Sequence, residues 1–84
     1  VFIQNQFGYT PLHCAVLVNH FDIVKKLVQY DCNLVSTQSK NEDTPLHLAM
    51  MEGNFHITDY LIKNGANQKA FNSFKETPWD LLYD

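Results

Sequence analysis

The chain has 84 residues, enough for one small domain, and 45% of them are hydrophobic, which supplies a core and argues against intrinsic disorder. Its net charge is −3, and no run of lysine or arginine exceeds the pair Lys25–Lys26, so the electrostatic footprint of a nucleic-acid-binding protein is missing. No apolar run approaches the roughly 20 residues of a membrane-spanning helix. We therefore expect neither a nucleic-acid partner nor membrane insertion.

Residues 1–9 are expected to be the end of a preceding unit and a turn, and a first unit begins at Thr10. Thr10 suits a helix N-cap, and Pro11 suits the first helical turn, where its missing N–H has no partner. The apolar spacing that follows predicts a helix ending near Val18. A second helix is predicted over residues 21–30, with four apolar side chains on one face: Ile23, Val24, Leu27 and Val28.

A polar connection is predicted over residues 34–43, followed by a second unit of the same kind. Its helices are expected at residues 44–51 and 55–64, with Gly65 as the C-cap of the second helix. Another connection is predicted to follow, and Thr77 then begins a third helix.

One motif recurs at a nearly fixed interval. Thr10-Pro11-Leu12-His13-Cys14-Ala15 returns 34 residues later as Thr44-Pro45-Leu46-His47-Leu48-Ala49, and Thr77-Pro78 follows after 33 more. A period in this range is typical of stacked repeat proteins. The pattern T-P-L-H-x-A at this period resembles the ankyrin repeat, and the resemblance covers essentially the whole chain.

The resemblance implies an all-α fold: a solenoid of stacked helix–turn–helix pairs joined by short fingers that resemble β-hairpins. It implies one ankyrin-repeat domain over residues 1–84, divided at 1–9, 10–43, 44–76 and 77–84, within a longer array. Glycine is usual in the family where this chain has Asp31, Glu42 and Lys75. We expect a weaker helix cap at Asp31, because aspartate tolerates the left-handed conformation less well.

His13 and His47 could be read as catalytic or metal-binding residues, but they occupy the same repeat position, which favours a structural role repeated in each unit. In the family, the threonine and histidine of the motif bond to each other and to neighbouring backbone. Asp80 replaces the third histidine, so this network is expected to end there. The residues to which the structural role is assigned are Thr10, Pro11, His13, Thr44, Pro45, His47, Thr77 and Pro78.

No other group points to catalysis, a metal or a cofactor. His20 is expected in a turn and His56 on the surface. Cys14 and Cys32 have no spacing typical of a disulfide framework or a zinc site, and we expect them to be buried thiols. Reduced cysteines favour the cytoplasm or nucleus.

The remaining candidates are surface residues, because family members usually bind partners through finger tips and the concave side of the first helices. The partner-binding positions so assigned are Phe7, Tyr9, Leu17, Val18, Lys40, Asn41, Asp43, Met51, Glu52, Phe74 and Glu76. The apolar members are expected to anchor another protein and the polar members to set specificity. The alternative is that the apolar members pack against neighbouring repeats or another domain of the same protein.

The expected function is therefore non-catalytic binding of another protein. Two alternatives stay open at this point. The segment could recruit substrates for a larger enzyme or effector, or it could be a structural spacer in a longer scaffold.

Overall fold

The computed structural model describes residues 8–82, with the backbone alone at Leu82. Five α-helices lie in this part of the chain: α1 Pro11–Leu17, α2 Phe21–Tyr30, α3 Pro45–Glu52, α4 Phe55–Lys63 and α5 Pro78–Leu82. A 3-10 helix, Cys32–Ser36, follows α2. No strand occurs between residues 8 and 82, and the predicted all-α class is confirmed. The expectations for Phe7 and for most of the segment 1–9 lie outside the described residues.

α1 and α3 begin in the same way because each starts with the same short motif. Thr10 and Thr44 have extended backbones, and the hydroxyl of each accepts the backbone N–H of the histidine three residues further on. Each histidine ring accepts the backbone N–H of its threonine, which completes a capping box. Pro11 and Pro45 follow in the first turn, where proline loses no hydrogen bond.

Corresponding helices of the two units are neighbours. α3 contacts both α1 and α5, α2 contacts α4, and each first helix contacts the second helix of its own unit. One apolar cluster joins both units. Its members at 0% exposure are Leu12, Val16, Val24, Leu46, Ala49, Ile57 and Leu61.

Both cysteines are exposed, and the expectation that they are buried is wrong. Cys14 corresponds to Leu48, which is 1% exposed. Leu48 lies on α3, which has α1 as its neighbour in the preceding unit, whereas α1 has no preceding helix beside it among residues 8–82. Cys32 begins the 3-10 helix, whose buried side chains are Leu34 and Val35. Burial at these positions follows from the neighbours, not from the residue type.

The segment after α2 also departs from the expected polar connection over residues 34–43. Leu34 and Val35 are 1% and 3% exposed and belong to the core, so the polar connection starts only after the 3-10 helix. Asp31 has a φ of −152°, which is extended and not left-handed. Its carboxylate accepts the backbone N–H of Asn33 at 3.0 Å and caps the 3-10 helix. Aspartate suits this position because its carboxylate caps the 3-10 helix that begins at the next residue.

Two turns with the same hydrogen bonds precede α3 and α5. In the first, the backbone N–H of Ser39 donates to the Asp43 carbonyl at 2.9 Å. In the second, the backbone N–H of Asn72 donates to the Glu76 carbonyl at 3.0 Å. The two turns therefore present corresponding residues in the same way to the helices that follow.

Each turn contains one residue with positive φ. Glu42 has a φ of 63° and Lys75 a φ of 61°, and Gly8 has a φ of 74° at the corresponding position before α1. The left-handed region costs a non-glycine residue about 1–2 kcal/mol, because its Cβ crowds the following carbonyl oxygen. Glu42 and Lys75 thus hold strain that glycine would not.

We expect Glu42→Gly to raise the free energy of unfolding by about 0.5 kcal/mol. Release of about 1–2 kcal/mol of strain outweighs the roughly 0.5–1 kcal/mol of extra chain entropy that glycine brings to the unfolded state. Urea unfolding measures the change. Lys40→Gly, in the same turn but without a positive φ, should lower the free energy of unfolding. A similar loss of stability in both variants would contradict the backbone strain assigned to Glu42.

α4 contains a buried hydroxyl without a partner. Thr58 is 6% exposed, and its Oγ1 makes no hydrogen bond. The corresponding residue of α2 is Val24, which is 0% exposed. The same place in the fold therefore accepts a methyl group where α4 has an unpaired hydroxyl.

Thr58→Val should stabilise the chain by about 1 kcal/mol, because it removes a buried polar group that forms no bond and keeps the shape of the side chain. The reciprocal change, Val24→Thr, should destabilise it by about 1–2 kcal/mol. Thermal unfolding of both variants beside the parent chain tests the pair. A melting temperature for Thr58→Val below that of the parent would show that the hydroxyl has a partner in solution.

Candidate protein-interaction surface

His13 links the first unit to the second through both nitrogens of its buried ring. Nδ1 lies 3.1 Å from the backbone nitrogen of Thr10, which can only donate, so Nδ1 accepts. Nε2 lies 2.7 Å from the carbonyl oxygen of Asp43, which can only accept, so Nε2 carries the proton. The backbone groups of Thr10 and Asp43 therefore favour the neutral ring with its proton on Nε2.

The pKa of His13 lies below the ordinary value of 6.5. Burial is the largest cause, because it disfavours the charged ring. The hydrogen bond to the Asp43 backbone and the charge of the Asp43 carboxylate act in the opposite direction and are outweighed. A proton on Nδ1 would also face the N–H of Thr10, and the ring would lose that bond.

His47 repeats this arrangement, but the third copy of the motif does not. Nδ1 of His47 lies 3.1 Å from the Thr44 backbone nitrogen, and Nε2 lies 2.9 Å from the Glu76 carbonyl oxygen. In the third copy, the Asp80 carboxylate accepts the backbone N–H of Thr77 at 2.9 Å. The third copy therefore keeps the local cap, and its side chain has no second ring nitrogen like the Nε2 that joins His13 and His47 to the turns that follow.

The residue before each motif threonine belongs to the predicted contact set. In the first unit it is Tyr9, whose ring stacks on His13 with centroids 5.5 Å apart and planes 20° from parallel. Asp43 and Glu76 hold the corresponding positions in the second and third copies. All three are half-buried, so part of each side chain reaches solvent while the rest packs at the base of a turn.

Asn72 fixes the two carboxylates. Its side-chain Nδ2 donates to Oδ1 of Asp43 at 3.0 Å and to Oε1 of Glu76 at 3.1 Å. Its Oδ1 accepts the backbone N–H groups of Phe74 and Glu76, each at 2.9 Å. Asn72 is 5% exposed, so one buried amide orders the second turn and ties it to the first. Asn72 is not among the predicted contact residues, and the sequence carries no signal for this network.

Most of the predicted contact residues are exposed. The exposed members are Leu17, Val18, Lys40, Asn41, Met51, Glu52 and Phe74. Val18 and Phe74 are each 69% exposed, and Met51 is 56% exposed. Phe7 lies outside the described residues.

These residues form two groups. Leu17 and Met51 take the same position on α1 and α3, and Val18 and Glu52 follow directly after them. α1 and α3 are in contact and start in the same register, so these four residues occupy the same end of neighbouring helices. The second group occupies the two turns, where Asn41 and Phe74 correspond.

Other exposed apolar residues were not predicted as contacts. They are Ile23, Tyr30, Phe55, Phe71 and Trp79, with exposures between 40% and 80%. Two of them, Ile23 and Phe55, lie on second helices that have a neighbour on one side only among residues 8–82. The sequence carries no signal for their exposure, because the corresponding residues of the other unit, Ile57 and Phe21, are of the same types.

The turns between the helices of each unit border a cleft of about 500 Å³. It is lined by Asn19, Phe21, Glu52, Gly53, Asn54, Phe55 and His56. The amide of Asn54 donates to the side-chain oxygen of Asn19 and joins the two turns. In the span 8–82, no group of three or more histidine, cysteine, aspartate or glutamate side chains is placed to hold a metal ion.

The family comparison covers most of the chain. A family model for ankyrin repeats, in three copies, matches residues 1–72, which include both copies of the motif that carries histidine. No curated protein matches the chain. None of the described helices is both long and apolar enough to cross a lipid bilayer.

The lowered pKa of His13 predicts a stability that depends on pH. The unfolded chain takes up the proton first as the pH falls below about 6.5, so the free energy of unfolding should decrease from there towards the folded pKa. Urea unfolding between about pH 7.5 and pH 5 measures the slope. At neutral pH, His13→Gln should have a lower free energy of unfolding than the exposed control His56→Gln. On acidification, the free energy of unfolding should fall less in His13→Gln than in the control. Equal slopes in the two variants would contradict the assignment to His13.

Proposed function

We propose that this chain, which belongs to the ankyrin-repeat family, binds another protein through its exposed turns and the ends of its first helices. Ankyrin repeats are generally protein–protein interaction modules, and the family is typically non-catalytic. The observation that supports this surface most strongly is the exposure of Val18, Met51 and Phe74, at 69%, 56% and 69%. Such side chains lose contact with water only when a partner covers them.

The hydrogen bonds of the two histidines support a rigid mode of binding. His13 and His47 each fix a turn against the preceding first helix at distances of 2.7 and 2.9 Å. Both rings are 0% exposed, so water does not compete for these bonds. The surface is ordered before a partner arrives, which reduces the entropy lost on association.

The chemistry of the surface assigns different tasks to its residues. Leu17, Val18, Met51 and Phe74 supply apolar contact, and methionine adapts to the shape of a partner. The polar members of the set would select the partner: Lys40, Asn41, Asp43, Glu52 and Glu76. Asn72 holds the carboxylates of Asp43 and Glu76 in position, which favours a fixed pattern of charge for selecting the partner.

We further infer that the units stack as a solenoid within one domain and belong to a longer array. The contacts of α3 with α1 and α5 favour this arrangement, as does the recurrence of the same turn before α3 and α5. The hydrogen-bonded turns would act as the hairpin-like fingers of the solenoid.

A partner captured with the intact gene product and identified by mass spectrometry allows a quantitative test with purified proteins. Met51→Asp and Phe74→Ala should each weaken the affinity about fivefold or more, because loss of an interface anchor costs more than about 1 kcal/mol. Tyr30→Ala, which truncates an aromatic ring 80% exposed on α2, should leave the affinity unchanged. Isothermal titration calorimetry measures all three.

The same variants need a thermal unfolding control. Met51→Asp and Phe74→Ala should keep the melting temperature of the parent, whereas His47→Ala should lower it by several degrees because it leaves buried partners unbonded. The surface assignment fails if either contact variant loses as much stability as His47→Ala, or if Tyr30→Ala weakens binding equally.

A further inference from the structure

The end of α4 contains the one Asn–Gly pair of the chain, Asn64–Gly65. Asn64 is exposed, and Gly65 has a φ of 94°, in the left-handed region. Glycine has no side chain to shield its backbone nitrogen, so this nitrogen can approach the side-chain carbonyl carbon of the asparagine before it. The pair therefore brings a nucleophile and an electrophile together in one short segment.

The exposure of this pair does not depend on where the chain stops. The corresponding residues of the first unit are Tyr30 and Asp31, and the second unit is stacked against that unit. Tyr30 is nevertheless 80% exposed. A further unit stacked in the same way on α3 and α4 would therefore leave Asn64 in contact with water.

Two backbone hydrogen bonds close the end of α4. The N–H of Gly65 donates to the Ile62 carbonyl at 3.1 Å, and the N–H of Ala66 donates to the Leu61 carbonyl at 3.0 Å. This is the Schellman pattern of a helix end, and Ala66 and Leu61 both belong to the apolar core. The nitrogen of Gly65 is thus engaged as long as the turn is closed.

The same turn also holds the side chain of Asn64. Its Nδ2 donates to the carbonyl oxygen of Tyr60 at 2.8 Å, which satisfies one of the last carbonyls of the helix. The Gly65 nitrogen becomes a nucleophile only when it loses its proton, and the bond to Ile62 retains that proton. The folded turn therefore opposes a reaction that the sequence favours. Helix ends open at low cost compared with global unfolding, so the reaction proceeds from the open turn.

We propose that Asn64 is a deamidation site whose rate is set by the opening of the last turn of α4. The Gly65 nitrogen gives its proton to hydroxide and attacks Cγ of Asn64, and the bond from Cγ to Nδ2 breaks. The departing amide group takes a proton from water and leaves as ammonia, and a succinimide ring remains. Water then opens the ring at either of its carbonyl groups. The products are aspartate and isoaspartate, in which the main chain runs through the former side chain.

The products end the helix less well than asparagine does. A carboxylate cannot donate to the Tyr60 carbonyl, and its charge lies at the C-terminal end of α4, where the helix dipole disfavours an anion. Isoaspartate also adds a methylene group to the main chain just before Ala66, which belongs to the core. Loss of ammonia makes the change irreversible, so it would destabilise the second unit as the molecule ages.

Peptide mapping by mass spectrometry tests the site after incubation of the folded chain at mildly alkaline pH and body temperature. The mass increase of an amide-to-carboxyl conversion should appear first at Asn64, in aspartyl and isoaspartyl forms that chromatography separates. Asn54 and Asn67 are internal controls, because the side chains of Phe55 and Gln68 hinder the attack there. Asn64→Gln keeps an amide donor at the helix end and should stay unmodified, because its longer side chain forms the ring slowly.

The same measurement in denaturing urea tests the control by the turn. Asn64 should convert about tenfold faster or more in the unfolded chain, where the Gly65 nitrogen is free. Ala66→Gly removes a methyl group that the closed turn buries, so it should speed conversion about fourfold in the folded chain and leave the rate in urea unchanged. The melting temperature of the converted fraction should lie several degrees below that of the unaltered chain.

Three results at the site would overturn the proposal: another asparagine converts first, Asn64 stays intact in the folded chain over several weeks, or folded and unfolded chains convert equally fast. A rise of the same size in both solvents for Ala66→Gly would also overturn it, because the turn would then not set the rate. The comparison of the unaltered chain with and without urea stands even if Ala66→Gly does not fold.

Discussion

A buried neutral imidazole joins each unit of this chain to the next. His13 accepts the backbone N–H of Thr10 at Nδ1 and donates the N–H of Nε2 to the Asp43 carbonyl. His47 makes the same two hydrogen bonds with Thr44 and Glu76. A buried ring must satisfy both nitrogens, because an unpaired polar atom is costly away from water. Each bond therefore holds a first helix at a set distance from the turn that follows it. The register of the helices, the position of the turns and the surface between them all depend on this constraint.

The side chains that fix the frame and most of those proposed to contact a partner occupy separate positions of the repeat, although the backbone carbonyls of Asp43 and Glu76 accept the histidine bonds. Threonine, proline and histidine recur and are turned inward, whereas the position before the threonine changes from Tyr9 to Asp43 to Glu76. In the second and third copies only the backbone carbonyl of this position takes part in the histidine bond, so its side chain can differ between copies. We propose that this side chain helps to select the partner. Asn72 is the exception, since it is buried and also orders two of the variable carboxylates.

Much of the frame could be predicted from the sequence because helix starts obey local rules. The caps at Thr10 and Thr44 need only the motif itself, and α2 has the predicted bounds. The exposure of Cys14 could not be predicted, because it depends on whether a helix lies beside α1. The 3-10 helix was missed because two apolar residues in a polar segment carry no periodicity. The candidate surface was placed from its repeat positions, whereas the network around Asn72 arises only when two distant turns come together.

The tautomer of the two buried histidines tests this account most directly. Long-range proton–nitrogen NMR correlation at about pH 7.5, above the ordinary histidine pKa, distinguishes the two neutral forms from each other and from the charged ring. We expect His13 and His47 each to give one set of signals, with the proton on Nε2 and slow exchange with water. A mixture of tautomers, a proton on Nδ1, or a ring that exchanges as fast as that of exposed His56 would show that the imidazoles do not join the units.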